Sequence, residues 1–212
     1  MTKLGSLVVG KKNKISVMGI LNTSPESFYK NSIKSTKSQI SNHVSEMEEN
    51  GAEIIDVGGM STAPYLRTIV SEKVESERVT KAIKIIQNSS NIPISVDTCR
   101  ATVANTALEL GIDVINDISG LKYDKNMPKI IEKYNPSLIL CPYSKNIVKG
   151  NPISETKKLL NESIKIALNA HISKEKIVVC AAIGFFRRPS DVKNKLPYTK
   201  IISNWAERDI EI

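Results

Sequence analysis

Short runs of β-branched and aliphatic residues alternate along the chain with longer segments in which apolar residues recur every three or four positions. The short runs predict strands and the longer segments predict amphipathic helices. The predicted strands are residues 4–10, 15–21, 53–57, 94–96, 112–115, 137–140 and 177–179. The first two are expected to form a hairpin, with the alternative that the first run only closes one end of the fold. The predicted helices are residues 37–50, 71–87, 100–110, 127–134, 154–168 and 204–212.

The order of these elements predicts the fold class. Strand and helix alternate about six times with short connections, which is typical of a parallel α/β fold. A closed TIM-type (β/α)₈ barrel typically needs ~250 residues. The 212 residues supply roughly six of its eight units. We therefore expect one domain over residues 1–212, either an incomplete barrel or a piece of a longer chain.

Composition excludes several classes of function. The formal net charge is +8, but the lysines are spread along the chain and no aromatic residue interleaves with a basic run. A basic surface that attracts anionic small molecules is therefore expected rather than a nucleic-acid site. The longest apolar run, residues 177–186, is too short to span a bilayer, so no membrane partner is expected. Three cysteines at unrelated spacings predict neither a disulfide framework nor a metal cluster, which favours a cytoplasmic setting.

Polar residues follow several predicted strands at the point where each strand ends. Asn22, Asp97 and Asn116 occupy such positions. The carboxyl ends of parallel strands share one edge of the sheet, where ligands bind in folds of this class. Two structural alternatives stay open. Asp97 could cap the following helix, for which Thr98 is another plausible N-cap, and Asn116 could form a turn with Asp117.

Four segments occur in a recognisable order: GILNTSPESF at residues 19–28, GAEIIDVGGMSTAP at 51–64, SVDT at 95–98 and INDISG at 115–120. Together they resemble the motifs of dihydropteroate synthase, a pterin-binding (β/α)₈ enzyme of folate biosynthesis. The resemblance implies a transferase that condenses 6-hydroxymethyl-7,8-dihydropterin diphosphate with p-aminobenzoate. It also implies that the enzyme requires Mg²⁺ and that it needs no organic cofactor.

The resemblance also implies roles for individual residues. Asn22 matches the asparagine that ligates the Mg²⁺ bound to the substrate diphosphate, and Thr62 matches a threonine that contacts the phosphate or the aminobenzoate. Asp97 and Asn116 match side chains that hydrogen-bond the pterin ring. If diphosphate departs before the amine attacks, the pterin becomes cationic, and the Asp97 carboxylate would stabilise that charge as the catalytic residue.

Other positions depart from the family pattern. Cys180 stands where the family has a second pterin-binding aspartate, and Ala63 stands where an arginine is often found. The basic motifs of the seventh and eighth strands have no counterpart before Ile212, so we expect the natural polypeptide to continue. Asp56 lies beside the phosphate-binding loop, and its role is open.

These departures leave two alternatives to a dihydropteroate synthase. The first is a pterin-binding or partner-binding remnant without catalysis. The second is a corrinoid-linked methyltransferase, whose related barrel would keep Asp97 and Asn116 but would not need a metal at Asn22. The segment that follows Asn22 therefore counts against the methyltransferase. A homodimer is compatible with each alternative.

Overall fold

In the part of the chain that the structure describes, six parallel strands form the central sheet. The computed structural model describes residues 1–10, 13–24, 36–60, 70–144 and 151–181. The strands are β1 (Thr2–Leu4), β2 (Leu7–Val9), β3 (Val17–Asn22), β4 (Ala52–Gly58), β5 (Ile94–Asp97), β6 (Val114–Asp117), β7 (Ser137–Leu140) and β8 (Ile177–Val179). The helices are α1 (Lys37–Glu49), α2 (Glu72–Ser89), α3 (Ala101–Glu109), α4 (Met127–Tyr134) and α5 (Pro152–Asn169).

The strands of the sheet have the order found in TIM-type barrels, in which each strand lies beside the one that precedes it in the sequence. Strands β3 to β8 lie side by side in chain order, and each pair of neighbours is parallel. One helix connects each strand to the next, so the chain repeats a strand–helix unit. Within the described part of the chain, β3 and β8 are the two edges of the sheet. This arrangement agrees with the predicted parallel α/β fold.

The two faces of the sheet have different partners because side chains alternate along a strand. The outer face packs against the helices, and its members from the strands include Leu21, Ile55, Val96, Ile115 and Leu138. All of these side chains are buried. The outer cluster is therefore the main core of the domain, and the predicted helices supply its second layer.

The inner face carries a smaller apolar cluster and, above it, the polar residues of the strand ends. Ile54, Val114 and Ile139 form this cluster together with Leu4 of the N-terminal hairpin. The hairpin pairs β1 with β2 through a turn at Gly5 and Ser6, and β1 contacts β7 and β8. The predicted pairing of residues 4–10 with 15–21 is therefore wrong, because a two-residue turn with glycine first closes a tighter hairpin.

The helix N-termini correct two details of the prediction. The sequence pattern predicts Ser154 as the N-cap of α5, but the helix begins after Asn151, whose side chain accepts hydrogen bonds from the backbone N–H groups of residues 153 and 154. The α3 helix has Arg100 rather than Thr98 at its N-cap position. Asp124 Oδ2 accepts a hydrogen bond of 2.9 Å from the first N–H of that helix. A residue distant in sequence thus supplies the missing cap.

The predicted helix over residues 204–212 lies outside the described residues. No helix within the described ranges is long and apolar enough to cross a membrane.

Gly120 follows β6 at the carboxyl edge of the sheet, and its packing can be tested against Gly111, which precedes β6. The two glycines are matched because both have a positive φ. A Cβ at Gly120 would lie 2.5 Å from the carbonyl oxygen of Cys141 and would also collide with Ser163, whereas a Cβ at Gly111 would meet nothing within 4 Å. Gly111→Ala should therefore cost about 1 kcal/mol of unfolding free energy from backbone strain alone. Gly120→Ala should cost roughly 1–3 kcal/mol more, because overpacking is added. Denaturant unfolding of both variants measures the difference, and equal losses would contradict the packing role of Gly120.

Candidate active site

A row of in-register positions crosses the carboxyl edge of the sheet. Asn22 pairs with Gly58, Gly58 with Asp97, and Asp97 with Asn116. Side chains at paired positions of parallel strands point to the same face. The site residues Asn22, Asp97 and Asn116 predicted from the sequence are therefore brought together on the inner face.

Gly58 separates the side chains of Asn22 and Asp97. A Cβ on Gly58 would lie 3.1 Å from Asn22 Oδ1 and 3.9 Å from Asp97 Oδ2. Thr23 fixes the end of β3 on this glycine, because its N–H and its hydroxyl both donate to the Gly58 carbonyl, at 2.9 Å and 3.0 Å. The absence of a side chain on Gly58 thus lets the Asn22 amide oxygen lie close to the β4 backbone, on the same face as the Asp97 carboxylate.

Asn116 is held in place by Asp56, whose role the sequence left open. The Nδ2 atom of Asn116 donates a hydrogen bond of 2.9 Å to Asp56 Oδ2. Asp56 is buried, and its other oxygen, Oδ1, has no hydrogen-bond partner among the described residues. The inner face therefore offers an oriented amide and a buried acceptor, both suited to a polar ligand.

Asp97 lies half-buried among other acidic groups. Loss of solvation raises the pKa of Asp97 well above its ordinary value. Repulsion by the carboxylates of Asp56, Asp117 and Glu75 raises this pKa further. Burial also raises the pKa of Asp56, against the opposing effects of the nearby Ser95 hydroxyl and of the Asn116 amide. The site is therefore an electronegative mouth that favours hydrogen-bond donors and cations.

Asp117 has a structural role. Its side chain is fully buried and accepts hydrogen bonds from the backbone N–H groups of Ser119 at 2.7 Å and Leu121 at 2.9 Å. Burial raises its pKa to about 6, while these hydrogen bonds oppose the shift. Asp117 thus shapes the turn after β6, which supports the turn-making alternative for this residue but not for Asn116.

A buried ion pair lies directly behind Asp97. Glu75 of α2 accepts hydrogen bonds of 2.7 Å from the Arg100 guanidinium and of 2.7 Å from the Thr98 hydroxyl. The N–H of Thr98 in turn donates to the Asn116 carbonyl at 3.0 Å. This network anchors the segment after Asp97 to both α2 and β6, and it explains why Thr98 is not a helix cap.

Sequence reasoning missed this network, although one signal was available. Glu75 lies on the same helical stripe as Val79, Ala82 and Ile86, all of which are buried. A charged residue on an apolar stripe indicates a buried partner.

The remaining predicted site residues have different outcomes. Thr62 lies outside the described residues. Cys180 follows β8, and its N–H donates to the Leu140 carbonyl at 2.9 Å. Its side chain contacts the thiol of Cys141, whose pKa is also raised by the charge of Asp97. Cys180 therefore lies at the same mouth as Asp97.

Comparison with known proteins defines the class. The family model described as "Pterin binding enzyme" matches residues 18–201. The chain belongs to this family of pterin-binding enzymes, as its motifs predicted. Its relatives within the family are dihydropteroate synthases, which confirms the dihydropteroate synthase-like function in folate biosynthesis expected from the sequence.

Two relatives and one solved structure give the extent of the similarity. The enzyme of Clostridium beijerinckii is 41% identical over 183 residues, which are 86% of this chain and 68% of that protein. The enzyme of Bacillus subtilis is 37% identical over 188 residues, 87% of this chain and 66% of that protein. A crystal structure of dihydropteroate synthase from Clostridium difficile in the presence of pteroic acid has a TM-score of 0.72 at 35% identity, covering 81% of this chain and 65% of that one. The predicted TIM-type fold class is thereby confirmed, and the chain spans about two thirds of the length of these relatives.

The buried ion pair can be tested by removing one or both charges. Arg100→Met should lower the free energy of unfolding by about 3–5 kcal/mol, because Glu75 would remain buried without its cation. The double variant Glu75→Met/Arg100→Met should recover most of this loss, since no charge is then buried. Urea denaturation compares the three proteins. A double variant no more stable than Arg100→Met would contradict the explanation that the loss comes from the unpaired charge of Glu75.

Proposed function

We propose that this chain binds a dihydropterin diphosphate at the mouth formed by Asp56, Asp97 and Asn116 and joins it to p-aminobenzoate. The observation that carries the proposal is the Asn116 amide, oriented by Asp56 and in register beside Asp97. A pterin ring presents N–H donors along one edge, and carboxylate and amide oxygens are the acceptors that match them. The crystal structure containing pteroic acid, reported for a relative, supports a ligand of this type.

In the proposed reaction, the aromatic amine attacks the methylene carbon of the pterin. A C–N bond forms, the C–O bond to diphosphate breaks, and the amine loses a proton to solvent. Positive charge develops on the pterin as the C–O bond lengthens. The Asp97 carboxylate, held by the anchored segment behind it, stabilises this charge without reorganising. Its raised pKa means that a cation or donor nearby is needed to favour the ionised form.

We propose a supporting role for Asn22 and Mg²⁺. The described residues contain no group of three or more His, Cys, Asp or Glu side chains that could hold a metal ion. One amide oxygen on the inner face, in register beside Gly58 and Asp97, does fit an ion that arrives with its phosphate oxygens and waters, which is how Mg²⁺ commonly binds. When bound, the ion would neutralise the charge of the diphosphate. Thr62 would contact the same phosphate or the aminobenzoate.

A second candidate function is pterin binding without turnover. The observation that favours it is Cys180 at the position of the family's second pterin-binding aspartate, because a thiol is a weaker acceptor than a carboxylate. A turnover assay beside a pteroic acid titration separates the two candidates. A cytoplasmic location and a homodimer are further parts of the proposal, and sedimentation of the chain tests the latter.

Asp97→Asn should lower turnover by about 10²–10³-fold, because an amide cannot offset a developing cation. Pteroic acid binding should weaken by less than about tenfold, since an amide still hydrogen-bonds the ring. Steady-state kinetics and calorimetric titration measure the two effects. Asp113→Asn is the matched control, because Asp113 is exposed and precedes β6 at the opposite end of the sheet. Unchanged kcat in the Asp97 variant would remove this residue from the mechanism.

The same variant should also be more stable at neutral pH. Since the pKa of Asp97 is raised in the folded chain, the folded state binds more protons, and stability falls as pH rises from the unfolded-state pKa to the folded one. Asparagine does not ionise, so Tm should rise by at least about 2 °C at pH 7, the response to ~1 kcal/mol in a domain of this size. The difference should shrink towards pH 4, and a pH-independent gain would contradict the electrostatic explanation.

Asn22→Ala should weaken the Mg²⁺-dependent binding of inorganic pyrophosphate about tenfold or more and leave pteroic acid binding unchanged. Titration calorimetry with pyrophosphate, with and without Mg²⁺, measures this directly. Asn50→Ala is a control of the same type at an exposed helix end. Equal pyrophosphate binding by wild type and Asn22→Ala would exclude Asn22 as the ligand.

A further inference from the structure

Two cysteines follow neighbouring strands in register. The β7 and β8 strands pair Leu140 with Val179, and the N–H of Cys180 continues the ladder to the Leu140 carbonyl at 2.9 Å. Cys141 and Cys180 therefore occupy the next paired position. They follow Ile139 and Val178 by two residues, so both side chains point to the inner face.

The two thiols are in contact and differ in accessibility. The Cys141 thiol is hydrogen-bonded with Cys180, and this contact together with burial strongly raises the pKa of Cys141. Cys141 therefore keeps its proton in the reduced chain. Cys180 is exposed and lines, with Ile139 and Val178, an inner-face cavity of about 540 Å³. A small oxidant can reach Cys180.

The backbone geometry at this position suits a covalent link. Neighbouring strands lie about 4.8 Å apart. Disulfides form when the Cα atoms are roughly 4.4–6.8 Å apart. No large movement of β7 or β8 is therefore required to join the two sulfur atoms.

We propose that Cys141 and Cys180 are a site of reversible oxidation, at which hydrogen peroxide converts the thiol pair to a disulfide at the mouth of the pterin site. The Cys180 sulfur attacks the peroxide, the O–O bond breaks, and the departing oxygen takes up the thiol proton and leaves as water, which gives a sulfenic acid on Cys180. The Cys141 sulfur then attacks the Cys180 sulfur, the S–O bond breaks, and the departing hydroxyl takes up the Cys141 proton and leaves as a second water. Two thiols are oxidised and one hydrogen peroxide is reduced.

The third cysteine provides an internal control. Cys99 follows β5 and is buried, and burial with repulsion from nearby carboxylates raises its pKa to about 12. A buried thiol with so high a pKa reacts slowly with oxidants. The chain therefore contains one thiol pair and one inert thiol.

Oxidation also has a consequence for binding, which rests on the proposed function. The disulfide removes the Cys180 thiol as a hydrogen-bonding group at the position of the family's second pterin contact, and it fixes β7 to β8. We expect pteroic acid to bind at least about tenfold more weakly to the oxidised chain. Dithiothreitol should restore the affinity.

The experiment oxidises the full reduced chain with hydrogen peroxide at low protein concentration and then counts free thiols and maps linked peptides. Wild type should fall from three free thiols to one, with Cys141 linked to Cys180, and dithiothreitol should reverse the change. Cys99→Ser should lose both of its thiols. Cys141→Ser should stop at a sulfenic acid on Cys180 that dimedone traps. Oxidation of Cys180 to sulfinic acid in wild type, or a link that includes Cys99, would overturn the proposal.

Pteroic acid titration of the reduced and oxidised chains separates this inference from the proposed function. Failure of the reduced chain to bind pteroic acid counts against the proposed function, whereas the thiol count alone decides whether the pair forms. Equal affinity of the two forms, with the disulfide demonstrated, would overturn the link between oxidation and binding.

Discussion

Register between β4, β5 and β6 is the constraint on which the site depends. The paired positions that place Asp97 and Asn116 on the inner face also place Val96 and Ile115 against the helices. A slip of one residue would reverse both faces, burying the carboxylate in the apolar core and exposing the aliphatic side chains. The hydrophobic core therefore fixes the positions of the polar groups, although it makes no contact with a ligand.

This arrangement concentrates acidic groups in a small volume, and the fold compensates most of them. Arg100 neutralises Glu75, Asn116 donates to Asp56, and backbone N–H groups satisfy Asp117. Asp97 is the exception, because no hydrogen bond or ion pair reaches its carboxylate within the described part of the chain. Its raised pKa is thus an unrelieved electrostatic cost, and a ligand that brings N–H donors or positive charge would relieve it.

Local patterns predicted the elements well because strand and helix formation depend mainly on residues close in sequence. The strands over 137–140 and 177–179 and the helix over 127–134 have their predicted bounds. The β6 strand instead begins at Val114, which is the first residue that pairs with β5. Ile112 is buried in the outer cluster but precedes this pairing. The strand ends also indicated Asn22, Asp97 and Asn116 correctly as neighbours.

What the sequence did not reveal depends on contacts between distant residues. Asp56 orients Asn116 across 60 positions of sequence, and Glu75 meets Arg100 across 25. Neither pairing follows from periodicity or from a turn signal, and the capping of α3 by Asp124 is of the same kind. Such pairs become visible only when the strands are placed side by side.

Cys180 shows how such a contact changes the interpretation of a substitution. Considered alone, a cysteine in place of the family's aspartate is a lost acceptor and argues for a weakened site. The structure gives this thiol a partner, Cys141, which donates to it from the next strand. The substitution therefore exchanges a carboxylate for one half of a thiol pair, whose hydrogen bonding to a ligand would depend on the redox state of the pair.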